Sequence, residues 1–214
     1  ILGDKTRMQK LAQDKSAFIR PSPTAGSLGG VARRTREAML LCEAAGYDVI
    51  IVETVGVGQS ETEVDNMVDM FLLMLLPGSG DELQGIKKGI VEMANLLIVN
   101  KADGDQLAQA KRVRANYASA LKLLHSSDKN WQPKIVTCSA LHGDGIADIW
   151  KHVCDFKIQM KSVITERRGE QNKAWMWKEI REALLANFLD NPKVQSQLEK
   201  LQKDVRSGKT TAMA

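Results

Sequence analysis

The run Leu96-Leu97-Ile98-Val99 leads without a break into Asn100-Lys101-Ala102-Asp103, and this last residue carries the most specific chemistry in the chain. A carboxylate held just beyond the end of a buried strand can accept hydrogen bonds from both the ring N–H and the exocyclic amine of guanine. Adenine does not offer that pair. Leaving such a carboxylate unpaired costs on the order of 1–3 kcal/mol or more, so a loop of this kind discriminates between the purines. Asn100 is expected to tie neighbouring loops together, and the stem of Lys101 to lie along the base. The structural alternative is a turn in which Asp103 caps the helix that follows.

A second strand-like run, Ile135 to Cys138, ends in Ser139-Ala140-Leu141. A Ser-Ala pair there is expected to aim backbone N–H groups at the guanine carbonyl oxygen. Together the two loops resemble the base-reading loops of GTP-binding proteins. A third run, Asp48-Val49-Ile50-Ile51-Val52, passes into Glu53-Thr54-Val55-Gly56-Val57-Gly58-Gln59-Ser60-Glu61. Glu53 stands where nucleotide hydrolases hold Mg²⁺, usually through water, and Gly56 where a backbone N–H can approach a γ-phosphate. A glycine-rich turn capped by Thr54 is the alternative there.

One part is missing from the sequence. No G-x-x-x-x-G-K-[ST] phosphate cradle occurs in it. Gly80 to Lys87 has glycines at the right separation, but Ile86 stands before the lysine. Ser207-Gly208-Lys209-Thr210 lacks the first glycine and follows no strand. The chain opens on Ile1 rather than Met and is read as starting inside a loop, so the cradle is expected upstream of Ile1. Nucleotide binding by the piece alone is accordingly expected to be poor.

These loops need a scaffold that brings strand ends together. Val31, Ala38, Leu41 and Ala45 recur near helical spacing and are followed by Gly46, where a left-handed C-cap is expected. Short apolar runs at Asp48 to Val52, Met70 to Leu76, Leu96 to Val99 and Ile135 to Cys138 read as strands buried on both faces. Helical patterns at Glu82 to Ala94 and Gln106 to Leu124 lie between them; the latter presents Leu107, Ala110, Val113, Tyr117, Leu121 and Leu124 on one face. This alternation predicts an α/β fold with a parallel sheet, whose ligand loops follow the carboxyl ends of the strands. From Ile146 the pattern is helical: Ile146 to Val163, Glu170 to Leu189, and Lys193 to Val205 after Asn191-Pro192. The expected organisation is a nucleotide domain over residues 1–156 and a helical arm over 157–214.

Composition agrees with a globular protein. With 214 residues, 43% hydrophobic, 26% charged, 16 Gly and 5 Pro, the chain is neither collagen-like, disordered nor a disulfide scaffold. No apolar run approaches the roughly 18 residues of a membrane span, and Cys42, Cys138 and Cys154 lack CxxC spacing, so buried thiols in a reducing compartment are expected. Residues 1–156 carry a net charge of −1 and 157–214 one of +5. That excess suits either a solvated helical face or an acidic partner. His125, His142 and His152 share no ligand spacing, Met67, Met70, Met74 and Met93 read as core filler, and Trp177, Ile180, Leu184 and Phe188 as a packing stripe.

Several longer motifs carry a family resemblance: Gly3-Asp4-Lys5-Thr6-Arg7-Met8, Ile19-Arg20-Pro21-Ser22-Pro23, Leu28-Gly29-Gly30, Glu53 to Glu61, and Gly80-Asp81-Glu82-Leu83-Gln84-Gly85-Ile86-Lys87-Lys88-Gly89. They resemble the MeaB-type GTPases, the group of the methylmalonic aciduria type A, ArgK and LAO/AO transport proteins. The resemblance implies a P-loop GTPase-like domain with a helical extension, GTP and Mg²⁺ as ligands, and a chaperone role toward an adenosylcobalamin enzyme, typically methylmalonyl-CoA mutase. It implies Asp4 in a first switch near the metal, Glu53 as the metal-side acid, Gly56 to Glu61 as a second switch with Gln59 a candidate for orienting water, and Asp81, Glu82 and Lys87 in a third. Asn100, Lys101, Asp103, Ser139, Ala140 and Leu141 would hold the base. The arm would dimerise, in the cytoplasm or the mitochondrial matrix, with no nucleic-acid or membrane partner. The older label implies a rival reading, an ATPase or kinase tied to basic-amino-acid transport; a chain that only docks or dimerises is a third.

Overall fold

The computed structural model describes residues 8–21, 35–54, 60–78, 88–123, 130–211 and 213. The elements in order are α1 (Gln9–Ala12), α2 (Thr35–Ala44), α3 (Ser60–Asp65), β1 (Leu72–Leu75), α4 (Lys88–Met93), β2 (Leu96–Val99), a 3-10 turn (Gly104–Gln106), α5 (Leu107–Leu123), β3 (Lys134–Thr137), α6 (Ile146–Gln159), α7 (Lys161–Leu189) and α8 (Pro192–Arg206). It is the α/β architecture expected, with a helical C-terminal part. Two compact units divide the chain, Ile1–Thr165 and Glu166–Ala214, and the division falls inside α7.

Within the first unit the strands pair in parallel in the order β1-β2-β3, with Leu73 opposite Leu97 opposite Ile135, and Leu75 opposite Val99 opposite Thr137. All four residues of β2 are buried because helices cover both of its faces. Alternation then divides its side chains. Leu97 and Val99 join Leu75, Val64 of α3, Val91 and Ala94 after β1, and Ala110 and Tyr117 of α5 in the largest cluster. Leu96 and Ile98 face the other way, with Cys138 and with Ile149 of α6. A third cluster joins Trp131 to Phe156 and Met160, the two rings meeting edge to face at 5.0 Å.

Asn95 fastens the amino ends of β1 and β2 to that third cluster. Its N–H donates to Phe71 O at 2.9 Å, its Oδ1 accepts from Phe71 N–H at 2.8 Å, and its carbonyl accepts from Trp131 Nε1 at 2.9 Å. Losing the side-chain bond strands a half-buried amide, so Asn95→Ala is expected to lower the unfolding free energy by about 1–2 kcal/mol, read from the urea midpoint.

Several expectations change. Residues 48–54 form no strand. Ile50, Val52 and Thr54 are half-buried while Val49, Ile51 and Glu53 are exposed, Ile51 by 86%. A strand needs a ladder partner as well as apolar side chains, and among the described residues none lies beside this segment; Val52 alone packs onto the main cluster. Met74, read as filler, is 62% exposed on the β1 face opposite that cluster. Cys138 is buried, whereas Cys42 and Cys154 are only half-buried. Helix α7 runs through Gly169 instead of breaking after Val163, since a lone glycine costs a helix only about 1 kcal/mol against Ala.

Caps obey local chemistry. Gly46 takes φ 88°, its N–H donates to Glu43 O at 3.0 Å and Tyr47 N–H to Cys42 O at 3.1 Å, a Schellman closure of α2. Gly208 takes φ 74° and closes α8 the same way, through Gly208 N–H to Val205 O and Lys209 N–H to Asp204 O. The Ser207-Gly208-Lys209 sequence that mimics a phosphate cradle is therefore a helix C-cap. Asn191 caps α8 by accepting from Lys193 N–H at 3.0 Å, with Pro192 in the first turn. In the second unit Trp177, Ile180, Leu184 and Phe188 are exposed along α7, not packed as expected. No helix among the described residues is long and apolar enough to cross a membrane.

Candidate functional site

Because β2 and β3 are parallel and in register, Val99 and Thr137 end side by side and the two loops leave the sheet together. Backbone bonds lash the exits: Asn100 N–H to Leu75 O at 3.0 Å, Cys138 N–H to Val99 O at 2.9 Å, and Ala102 N–H to Cys138 O at 2.9 Å. Asn100 then ties the loops through its side chain, Oδ1 accepting from Lys101 N–H at 2.7 Å and Ala140 N–H at 3.1 Å, with the Cys138 thiol 3.5 Å away. Burial pushes the Cys138 thiol up, which keeps it a neutral S–H donor beside this oxygen. Lys101 adopts φ 58°, the left-handed region uncommon for a non-glycine side chain. Such strain clusters where surrounding contacts over-determine the backbone.

Ser139 is fully buried and every polar group it owns is used. Its Oγ donates to Asp103 Oδ2 and accepts from His142 N–H at 3.2 Å. Its N–H donates to Asp144 O at 2.9 Å and its carbonyl accepts from Gly143 N–H at 2.8 Å. Asp103 has extended backbone at the start of the 3-10 turn, yet its side chain makes no capping bond. Asp103 is thus the N-cap residue by position, but its carboxylate does not do the capping. The carboxylate is instead held from the neighbouring loop by one hydroxyl, and a carboxylate with about four lone-pair sites retains capacity for two donors from a ligand.

The structure thus gathers Asn100, Lys101, Asp103, Ser139, Ala140 and Leu141 at one end of the sheet. It differs from expectation in the donors. The N–H groups of Ser139 and Ala140 are spent inside the loops, while Leu141, 80% exposed, keeps an N–H without an acceptor among the described residues. Glu53 is exposed near the end of the irregular 48–54 segment. Asp4, Gly56, Gln59, Asp81, Glu82 and Lys87 lie outside the described residues. Among the described residues no group of three or more His, Cys, Asp or Glu side chains could hold a metal ion. Gly145, which the sequence reading did not single out, is the left-handed residue just before α6; the Gly143-x-Gly145 spacing just after Ser139-Ala140 was the available signal.

With this geometry in hand, similarity to known proteins is informative. Residues 1–193 match the profile of the family described as methylmalonyl Co-A mutase-associated GTPase MeaB. The chain is 50% identical to the mouse protein named methylmalonic aciduria type A homolog, mitochondrial, over 97% of its own length and 51% of the relative's. It is 51% identical to the Escherichia coli protein named GTPase ArgK, over 89% of its own length and 58% of that relative's. A crystal structure of a protein named LAO/AO transport system kinase superposes with a TM-score of 0.72 at 41% identity, covering 95% of this chain and 64% of that one. The chain therefore spans between about half and two thirds of the length of these relatives.

Proposed function

Since the chain belongs to the MeaB family of methylmalonyl-CoA mutase-associated GTPases, we propose that the intact protein binds and hydrolyses GTP as a chaperone of an adenosylcobalamin-dependent acyl-CoA mutase. Methylmalonyl-CoA mutase is the proposed client, and the nucleotide state gates cofactor loading and protects the loaded enzyme. The observation that carries the reading is the Asp103 carboxylate, buttressed by buried Ser139 and fixed beside Asn100. It suits a base with two adjacent N–H donors and penalises one without them.

Asp103 holds the base, Asn100 keeps the two loops in register, and Lys101 and Leu141 flank the ring. Gly56 offers a backbone N–H to the γ-phosphate and Gln59 orients the attacking water, so catalysis rests on positioning. Mg²⁺, when bound, neutralises phosphate charge, and Asp4 and Glu53 are the proposed acids on its side. Phosphate binding of full strength requires a cradle that residues 1–214 do not contain.

Asp81, Glu82 and Lys87 form the proposed switch that reads the docked mutase. Lys87→Ala is expected to reduce mutase-stimulated GTP turnover by about tenfold, the loss of one charge-assisted contact. Steady-state phosphate release by the intact protein, with and without mutase, checks this; unchanged stimulation would remove Lys87 from the switch, and absence of GTP hydrolysis would overturn the reading as a whole.

The exposed Trp177, Ile180, Leu184 and Phe188 stripe supports a second copy as the arm's partner. Free thiols support a reducing compartment, the bacterial cytoplasm or alternatively the mitochondrial matrix. The name of the matched transport system kinase favours a second reading, an ATPase or kinase serving basic-amino-acid transport. Asp103 argues against it, because adenine has no N–H pair for the carboxylate to accept.

A further inference from the structure

Gly145 touches no proposed ligand atom, yet it stands where the second base loop turns into α6. Its φ is 75°, and a Cβ placed on it would lie 2.6 Å from the Thr137 carbonyl oxygen, 3.3 Å from Cys138 Cα and 3.4 Å from Cys138 Cβ. Real Cβ atoms do not approach backbone that closely, and neither Thr137 O nor Cys138 Cα is the far end of a flexible chain. Other left-handed glycines here lack this constraint: Gly46, Gly104, Gly143 and Gly208 have nothing within 4 Å of the same position. The close approach of Gly145 is therefore particular to this corner.

What it presses against is the root of the site. Thr137 is the last residue of β3, opposite Val99. Cys138 donates its N–H to Val99 O and accepts from Ala102 N–H, while its thiol lies beside Asn100 Oδ1. The next residue is Ser139, whose hydroxyl holds Asp103. Displacing Thr137 and Cys138 by the several tenths of an ångström that a methyl group demands would move both lashings and the clasp together. On the other side, Gly145 O accepts from Ile149 N–H at 3.1 Å in the first turn of α6, and Asp144 O holds Ser139 N–H. The helix start and the strand end are locked across a gap that only a glycine leaves open.

We propose that Gly145 is a positioning residue for purine selectivity: its lack of a side chain lets α6 seat against the end of β3 and thereby fixes the Ser139–Asp103 clasp at the spacing guanine requires. This role deepens the guanine reading and rests on it.

The test measures GDP and ADP affinities of the intact protein by competition calorimetry, for wild type, Gly145→Ala and Gly46→Ala. Gly46→Ala carries the same left-handed backbone strain with open space around the methyl. Gly145→Ala is expected to weaken GDP by roughly tenfold, leave ADP within about twofold, and so collapse the ratio, while Gly46→Ala leaves the ratio alone. The ratio is independent of the folded fraction, so simple destabilisation does not move it. Combining Gly145→Ala with Ser139→Ala should add little further loss of ratio, since both act through one clasp. In wild-type protein, GDP but not ADP should slow amide exchange at Gly143, Ile149 and Ala102 together, a reading that stands even where Gly145→Ala fails to fold. An unchanged GDP/ADP ratio in Gly145→Ala, or protection of Ala102 without Gly143 and Ile149, overturns the role. A wild-type protein that binds GDP and ADP alike overturns the guanine reading itself.

Discussion

Asp103→Asn in the intact protein is expected to weaken GDP binding by about 3 kcal/mol, roughly a hundredfold, and at the same time to favour the xanthine nucleotide. The carboxylate accepts from two N–H groups of guanine, each a charge-assisted bond. An amide keeps one acceptor oxygen and sets its own N–H₂ against the second donor. Xanthine carries a carbonyl oxygen where guanine carries its amine, so the new N–H₂ meets an acceptor. Ser139 Oγ can still donate to the remaining amide oxygen, which keeps the clasp formed. Titration with the two diphosphates reads the inversion; a variant that binds GDP as wild type does would remove Asp103 from base recognition.

Leu97→Ala is expected to have the largest effect on stability, about 2–5 kcal/mol by denaturant unfolding. Leu97 is fully buried in the middle of the central strand, against Leu75, Val99, Ala110 and Tyr117. Strands flank it on both sides, and α4 and α5 contribute Val91, Ala110 and Tyr117 to the same cluster, so the void is lined by regular elements that collapse poorly. Domains are stable by only about 5–15 kcal/mol, so this one truncation removes a large share and threatens the exit of Asn100 three residues later. A loss below about 1 kcal/mol would show that the cluster repacks and that the sheet does not depend on β2 as described.

What the sequence revealed of this fold follows a physical division. Leu96 to Val99 was legible to the residue because a four-residue apolar run between polar ends, too short for a helix, suits a strand covered on both faces, which is what β2 is. Leu107 to Leu123 was legible because Ala110, Val113, Tyr117 and Leu121 recur at helical spacing and do meet the core. Asp48 to Val52 has nearly the composition of β2 but lacks a neighbouring strand among the described residues, and pairing is not encoded in the run itself. Met74 was misjudged for a related reason: side-chain chemistry says what could be buried, whereas only tertiary context says whether something covers it. The site divides in the same way. Asn100, Asp103 and Ser139 were readable as types at strand ends, since their chemistry is local. That the Ser139 and Ala140 amides are consumed by Asp144 and Asn100 was not readable, for it depends on distances between loops. Gly145 escaped notice because its importance lies in an atom it does not have.

The most direct measurement is calorimetric titration of the intact wild-type protein with GDP, IDP and ADP under one set of conditions. Inosine keeps the ring N–H and drops the exocyclic amine; adenosine offers neither donor at those positions. A carboxylate that accepts from both groups predicts a graded series: IDP about tenfold or more weaker than GDP, and ADP weaker again by a similar or larger factor. Equal affinities for GDP and ADP would contradict the account.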